Sequence, residues 1–194
     1  KLIAQLPEQN VRCIVFDCAG DYAESKEVNP EGWPVPGTQI INMKDSPIHM
    51  LPFSPIYPGE SQNAIANRIM NTISVPLGFG KRQQSFLLKT ISAGLQNNSL
   101  NEFADLRDLL KKPTKSKETA ESVILALDSL WDSFPSGGKT FDWDFSKPGI
   151  TVLNLHQGFS DLSLNIFLEM LLGSIYSARM TVAHEDYPPL VLVL

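Results

Sequence analysis

Three short apolar runs limit the folds that are open to this chain. Val11 to Phe16, Gly149 to Leu155 and Leu190 to Leu194 are rich in Val, Ile and Leu, and each follows a polar or proline residue. Continuous apolar strands of this kind are typical of a parallel sheet that is covered on both faces, with helices connecting the strands. Thr38 to Ile41 is a shorter fourth candidate. The pattern predicts an α/β fold with a mainly parallel sheet.

Both ends of the chain lie inside predicted structural elements. Pro188 to Leu194 is interpreted as a strand from the centre of the sheet, and it reaches the last residue. Such a strand normally leads into a functional loop at its carboxyl end. Lys1 to Leu6 resembles the last turns of a helix. We therefore expect the sequence to be an excerpt of a longer chain.

A block of amphipathic helices separates the early strands from the strand at Gly149. Apolar residues recur at helical spacing in four stretches, which are separated by breakers such as Pro76-Leu77-Gly78, Asn97-Asn98-Ser99 and Pro113. A block of this length predicts a subdomain. The predicted domains are residues 1–58, the first part of an α/β core; 59–134, a helical insertion; and 135–194, the second part of the core. A fifth helix, Leu162 to Arg179, is predicted to begin after a Ser160 or Asp161 cap.

Composition excludes several classes of protein. The net charge of −5 gives the chain as a whole no basic footprint for nucleic acid, although local loops can still be basic. Cys13 and Cys18 are interpreted as reduced core thiols, and no Cys/His spacing indicates zinc. The longest apolar stretch is interrupted by Asn165 and Glu169, so no membrane span is expected. These features predict a cytoplasmic protein.

The strongest candidate site follows the first strand. Asp17 ends that strand, at the edge of the sheet where α/β proteins bind ligands, and Gly20 permits a tight turn. Asp21 would then project over the edge, where a carboxylate can orient water, hold a hydrated metal ion or accept a proton. A simple strand-capping turn is an almost equally good interpretation of the same residues.

Other candidates are weaker. The GKT at Gly138-Lys139-Thr140 lacks the spacing, preceding strand and following helix of a phosphate loop, and we reject it as a nucleotide site. Lys81 and Arg82 could contact phosphates, but a solvated helix start is the more common role of such a pair. The three histidines, including His156 at a strand end, have no partner at a diagnostic spacing and are interpreted as structural.

The chain nevertheless resembles the HerA/FtsK superfamily of P-loop motor ATPases. The resemblance lies in Cys13 to Tyr22 (CIVFDCAGDY), in Ile41 to Phe53 before the helical block, in Gly149 to Leu155 before a long apolar helix, and in Pro188 to Leu194, which is similar to a Walker B strand. Each motif is weak alone, and their order carries the resemblance. Cys18-Ala19 and Asp21 differ from the residues most common in the family.

The resemblance implies a RecA-like core that assembles as a ring, usually a hexamer, hydrolyses ATP with Mg²⁺ and pulls DNA through a central channel. It places Asp17 and Gly20 near the nucleotide, Asp21 as a water- or partner-orienting carboxylate, and Lys81 and Arg82 at DNA. Arg179 could reach a neighbouring subunit, but a solvated cation at the end of a helix is its more common role. It also implies a nuclease or other effector as partner. The Walker A loop and the Walker B acids are not in this sequence, so the excerpt alone is expected to be inactive.

Two alternatives remain open from the sequence. A conjugation or type IV secretion ATPase shares the same core plan. A catalytically inactive α/β module that serves as a scaffold or a partner-binding domain belongs to a different class. Residues flanking the excerpt would separate these possibilities, because a GK[ST] loop and an acidic pair are required for the motor.

Overall fold

A parallel sheet forms the first part of the structure. The computed structural model describes residues 3–22, 33–45, 48–131, 134, 145–156, 159–180 and 187–194. Within them the strands are β1 (Arg12–Asp17), β2 (Gln39–Asn42), β3 (Gly149–Asn154) and β4 (Leu190–Val193). Their order is β2-β3-β1-β4, and every pairing is parallel. The predicted α/β class and parallel sheet are confirmed, because all four apolar runs form strands.

The strand order corrects the position expected for the last strand. β1 lies between β3 and β4, and its residues from Cys13 to Asp17 are buried. β4 forms the edge of the sheet that the described residues make, and its side chains are only partly covered, with Leu192 39% exposed. The prediction that this strand lies at the centre was therefore wrong for this structure. A buried-type run of Leu and Val does not specify which neighbours a strand will have.

One face of the sheet carries a small apolar core. Alternate residues of β1 and β3, namely Cys13, Val15, Ile150 and Val152, pack together with Trp33. Because successive side chains of a strand point to opposite faces, this alternation is what two paired parallel strands in register require. Partly buried apolar residues of the flanking segments complete the cluster: Ile3, Leu6, Tyr22, Val35 and Val193.

Five α-helices occur in the described residues. They are α1 (Gln62–Ser74), α2 (Lys81–Gln96), α3 (Phe103–Leu110), α4 (Lys117–Trp131) and α5 (Asp161–Met180). The first four lie between β2 and β3 in the sequence, as the apolar spacing predicted. Ser160 caps α5, because its hydroxyl oxygen accepts a hydrogen bond from the Ser163 N–H at 3.2 Å. None of these helices has the length and apolar character that a bilayer crossing requires.

The contacts divide the chain into two units. The α/β unit contains the described residues of Lys1–Ile48, Asp142–Phe159 and Val182–Leu194, and the helical unit contains those of His49–Phe141 and Ser160–Thr181. The helical unit thus begins earlier than the predicted residue 59 and includes α5, which the sequence had grouped with the α/β core. Contacts between α5 and α1 account for this grouping.

The cysteines differ from each other in environment. Both are free thiols, but Cys13 is buried in β1 whereas Cys18 is exposed after the strand. The interpretation of both as core thiols is therefore correct for Cys13 and wrong for Cys18. Cys18 lies one residue beyond the last residue of β1, where the chain leaves the covered sheet.

Candidate functional site

The carboxyl edge of the sheet carries a row of polar residues. Asp17 is in register with Asn154 across β1 and β3, and Asn42 is in register with Asn154 across β2 and β3. Each of these three residues is the last of its strand. Ligands of open α/β sheets bind beyond the carboxyl ends of the strands. The described part of the α/β unit therefore presents polar groups where such folds bind ligands.

Asp17 fixes the loop that follows β1. Its Oδ1 accepts a hydrogen bond from the Gly20 N–H at 2.9 Å, and its Oδ2 accepts one from the Tyr22 N–H at 3.0 Å. The residue is only 3% exposed. Hydrogen bonds from backbone N–H groups stabilise a buried carboxylate, and here they also force the chain to turn back over the strand end. Asp17 thus acts first as the organiser of the loop.

Gly20 and Asp21 occupy the turn of this loop. Gly20 has a φ of 86°, in the left-handed region that glycine adopts without the steric cost of a Cβ atom. Asp21 follows it and is exposed. The loop thus presents one carboxylate, Asp21, to solvent, while the other, Asp17, is enclosed.

Neighbouring residues hold both sides of the loop. The Trp33 indole N–H donates to the Tyr22 carbonyl oxygen at 3.0 Å, and the two rings make an edge-to-face contact with centroids 5.4 Å apart. On the β3 side, the Leu155 N–H donates to the Asp17 carbonyl oxygen at 2.9 Å. The exposed His156 ring places Nδ1 3.3 Å from the Cys18 carbonyl oxygen. These contacts preorganise the loop between β1 and the residues after β3.

The environment of Cys18 makes it a poor nucleophile. Partial burial raises the pKa of its thiol above the ordinary value of 9.0, and the negative charge of Asp17 raises it further. Burial also raises the pKa of Cys13, to about 11. Because both pKa values are raised, both thiols stay protonated near neutral pH. The thiolate is the reactive form, so neither cysteine is activated. The site therefore offers carboxylate chemistry and no activated thiol.

The remaining predicted site residues lie in the helical unit. Lys81 and Arg82 begin α2 and are exposed, and Arg179 is the penultimate residue of α5 and is half-buried. The structure thus brings Asp17, Gly20 and Asp21 together in one loop. Lys81 and Arg82 line a second feature, a groove of about 320 Å³, together with Ser85, Phe86, Lys89, Ser116 and Thr119.

Two features were missed by sequence reasoning. The polar row includes Asn42 and Asn154, and the available signal was an Asn within one residue of the end of two predicted strands, Thr38 to Ile41 and Gly149 to Leu155. The groove joins the beginnings of α2 and α4, which are about 35 residues apart in the chain, and a count of charges along a sliding window would have marked its basic side. Gly138-Lys139-Thr140 and His184 lie outside the described residues.

The described residues do not form a metal centre of the usual kind. Within the described ranges, no group of three or more His, Cys, Asp or Glu side chains could hold a metal ion. Asp17 has both carboxylate oxygens bonded to backbone N–H groups, which leaves Asp21 as the exposed acid of the loop. Among the described residues, therefore, there is no cluster of His, Cys, Asp and Glu side chains that would hold a metal ion by itself.

Comparison with known proteins adds no family to this description. No protein-family model matches the chain, and no curated protein matches it in sequence. The loop after β1 and the groove between α2 and α4 are therefore the features from which a function can be inferred.

Proposed function

We propose that the chain is part of an ATP-hydrolysing ring motor that translocates DNA, in the manner of a HerA-like translocase or helicase. One observation carries the proposal: a parallel sheet ends in a preorganised Asp17-to-Tyr22 loop that presents Asp21 at its carboxyl edge. Motor ATPases of the P-loop class bind nucleotide at this edge of a parallel sheet. A RecA-like core with α1 to α4 as its helical insertion, and assembly as a hexamer, belong to the same proposal.

The residues of the chain have separate roles in this proposal. Asp17 and Gly20 are positioning residues, because they set the path of the loop near the nucleotide. Asp21 is the carboxylate that orients water or a neighbouring subunit's side chain. Arg179, at the end of α5, faces a neighbouring subunit, and Lys81 and Arg82 contact DNA.

The proposal gives Asp21 a role in orienting water or a neighbouring side chain, and none in binding the phosphates. The described residues contain no cluster of three or more His, Cys, Asp or Glu side chains that could hold a metal ion, so the proposal assigns no Mg²⁺ or phosphate ligand among them. When bound, ATP supplies the phosphoryl group that is transferred to water. In this proposal, the described residues contribute a carboxylate, Asp21, that is held at the carboxyl edge of the parallel sheet.

Two other functions compete with this proposal. A conjugation or type IV secretion ATPase would use the same loop with a different cargo. An inactive α/β scaffold would use the loop only as a structural turn, in keeping with the enclosed carboxylate of Asp17. ATP hydrolysis separates the scaffold from both motors, and stimulation by DNA supports the translocase.

The test is ATP hydrolysis by the intact protein, with and without double-stranded DNA. We expect DNA to stimulate turnover and Asp21→Asn to lower it by about 10²-fold, because a positioned acid–base group contributes about 10² to 10⁴. Asp128→Asn, which changes an exposed carboxylate on α4, is the matched control and should leave turnover unchanged. If folded wild-type protein does not hydrolyse ATP, the result would contradict the motor and favour the scaffold. If Asp21→Asn hydrolyses ATP as fast as the wild type, Asp21 has no role in hydrolysis.

A further inference from the structure

The charge of the chain is distributed very unevenly. Residues 81–117 contain eight of its 16 Lys and Arg residues and three of its 21 Asp and Glu residues. This segment therefore has a net charge of +5 within a chain of net charge −5. It runs from the start of α2 to the start of α4, and all of it is described. An asymmetry of this size indicates a surface for a polyanion.

Three of these eight cations, Lys81, Arg82 and Lys89, line one groove at the start of α2. Arg82, Ser85, Phe86 and Lys89 follow the i, i+3, i+4, i+7 spacing and so form one stripe along the helix. Ser116 and Thr119 from the beginning of α4 line the groove from the other helix. The Gln83 amide links the two helices by donating to the Ser122 hydroxyl at 2.9 Å. The groove is thus a built feature of two packed helices.

Among the residues that the structure describes, the cations of the groove have no carboxylate partner. The three ion pairs among the described residues involve other side chains, and no carboxylate lines the groove there. The first N–H groups of α2 and α4 also lack intrahelical acceptors, and the positive ends of both helix dipoles lie at this place. Cations and hydroxyl groups of the groove are therefore available to one anionic ligand, and the two helix dipoles add to the positive potential there.

We propose that this groove binds the phosphodiester backbone of a nucleic acid. Arg82 and Lys89 are about 10 Å apart along the helix axis, which equals about three base-pair steps along the axis of B-form DNA, so the two cations can reach different phosphates of one strand. Hydroxyl groups such as Ser85, Ser116 and Thr119 are common donors to phosphate oxygens. Phe86 adds a half-buried ring among the cations, a combination found in grooves that follow a nucleic-acid strand.

This inference deepens the proposed function and rests on it only for the identity of the polymer as DNA. It names a surface of which Lys81 and Arg82 are one end, and it adds Lys89, Ser116 and Thr119. Binding by the groove needs no nucleotide. The inference can therefore be tested separately from ATP hydrolysis.

The experiment measures binding of a short fluorescent oligonucleotide by the intact protein without nucleotide, over a range of salt concentrations. Single-stranded and duplex forms are compared. We expect Arg82→Glu/Lys89→Glu to weaken binding about tenfold or more and to reduce the salt slope by about two, because two phosphate contacts are lost. The matched control is Lys44→Glu/Lys147→Glu, which makes the same charge change at exposed positions of the α/β unit and should change affinity less than about threefold.

Each outcome of this experiment supports or overturns the inference. An equal loss of affinity in the two double variants would mean that only net charge matters and would overturn it. Binding of polyglutamate or of anionic lipid vesicles without binding of either oligonucleotide would also overturn it. Oligonucleotide binding that is specific to the groove, in a protein without ATP hydrolysis, would support the inference and contradict the motor. If DNA still stimulates ATP hydrolysis and oligonucleotide binding is unchanged in Arg82→Glu/Lys89→Glu, the motor would be supported and the groove would be overturned as the binding surface.

Discussion

Two buried carboxylates show how the α/β unit and the helical unit solve the same problem differently. Asp17 is 3% exposed and Glu60 is 9% exposed, so each needs compensation for lost hydration. Asp17 is compensated by N–H groups of its own loop. Glu60 contacts a side chain of opposite charge, with its Oε1 3.0 Å from the Arg68 Nε. The hydrogen bonds to Asp17 shape a loop, whereas the ion pair of Glu60 with Arg68 connects two segments of the chain.

The Glu60–Arg68 pair holds the segment before α1. Glu60 Oε2 also accepts a hydrogen bond from the Ile56 N–H at 2.8 Å. The Arg68 guanidinium donates to the carbonyl oxygens of Pro52 and Ser54, at 3.3 and 3.0 Å. A proline-rich segment that forms little regular structure is thereby fixed to the first turns of a helix. This role is structural, whereas the Asp17 loop leaves its neighbour Asp21 exposed to solvent.

The largest effect is expected at the ion pair. Glu60→Gln should lower the free energy of unfolding of the helical unit by about 3 kcal/mol, because breaking a buried pair leaves a charge without its partner. Urea unfolding gives the total loss, and amide hydrogen exchange assigns it to a unit. Glu121→Gln, which removes an exposed partner of Lys117, is the control and should cost less than about 0.5 kcal/mol. A loss as small as the control's would mean that Arg68 is compensated by Pro52 and Ser54 alone.

A smaller effect is expected at the loop. Asp17→Asn should lower the free energy of unfolding of the α/β unit by about 2 kcal/mol, because the amide can accept only one of the two N–H bonds and turns a donor toward the other. Hydrogen exchange at Gly20 and Tyr22 should accelerate, with the helical unit unaffected. Asp45→Asn, at an exposed carboxylate of the same unit, serves as the reference. Unchanged exchange at both amides would contradict the role of Asp17 as organiser of the loop.

The smallest effect concerns the Cys18 thiol. Its pKa is raised by partial burial and then by the charge of Asp17, so removal of that charge should lower the pKa and increase the thiolate fraction at a given pH. We expect Asp17→Asn to move the midpoint of the alkylation rate–pH profile to lower pH and to increase the rate a few-fold near pH 8. Cys13 is buried and should not react in folded protein.

The control for the thiol measurement comes from the other carboxylate. Glu60→Gln removes a charge in the helical unit and should leave the Cys18 profile in place. A faster rate with an unchanged midpoint in Asp17→Asn would indicate that the loop opens more often, and would assign the role of Asp17 to hydrogen bonding alone.

The positions of the elements were predictable because their signals are local. Apolar runs gave all four strands to within two residues, and helical spacing gave α1 to α5. Asp17 was placed correctly next to the end of a strand, and Ser160 was one of the two predicted caps of α5. The use of the Asp17 carboxylate was not predictable, because the same residues suit an exposed ligand or a closed turn. The exposure of Cys18 was missed for a similar reason, since the sequence does not show at which residue the cover over a strand ends.

The sequence by itself determined the class of fold, the parallel sheet and the existence of a polar loop after β1. These follow from residue spacing and from the conformational limits of single residues, which operate over a few positions. Only the tertiary structure decided that β4 lies at the edge of the described sheet, that α5 groups with the other helices, and that α2 and α4 form one basic groove. Such features depend on which distant segments pack together, because the free energy of packing comes from contacts that no local pattern encodes.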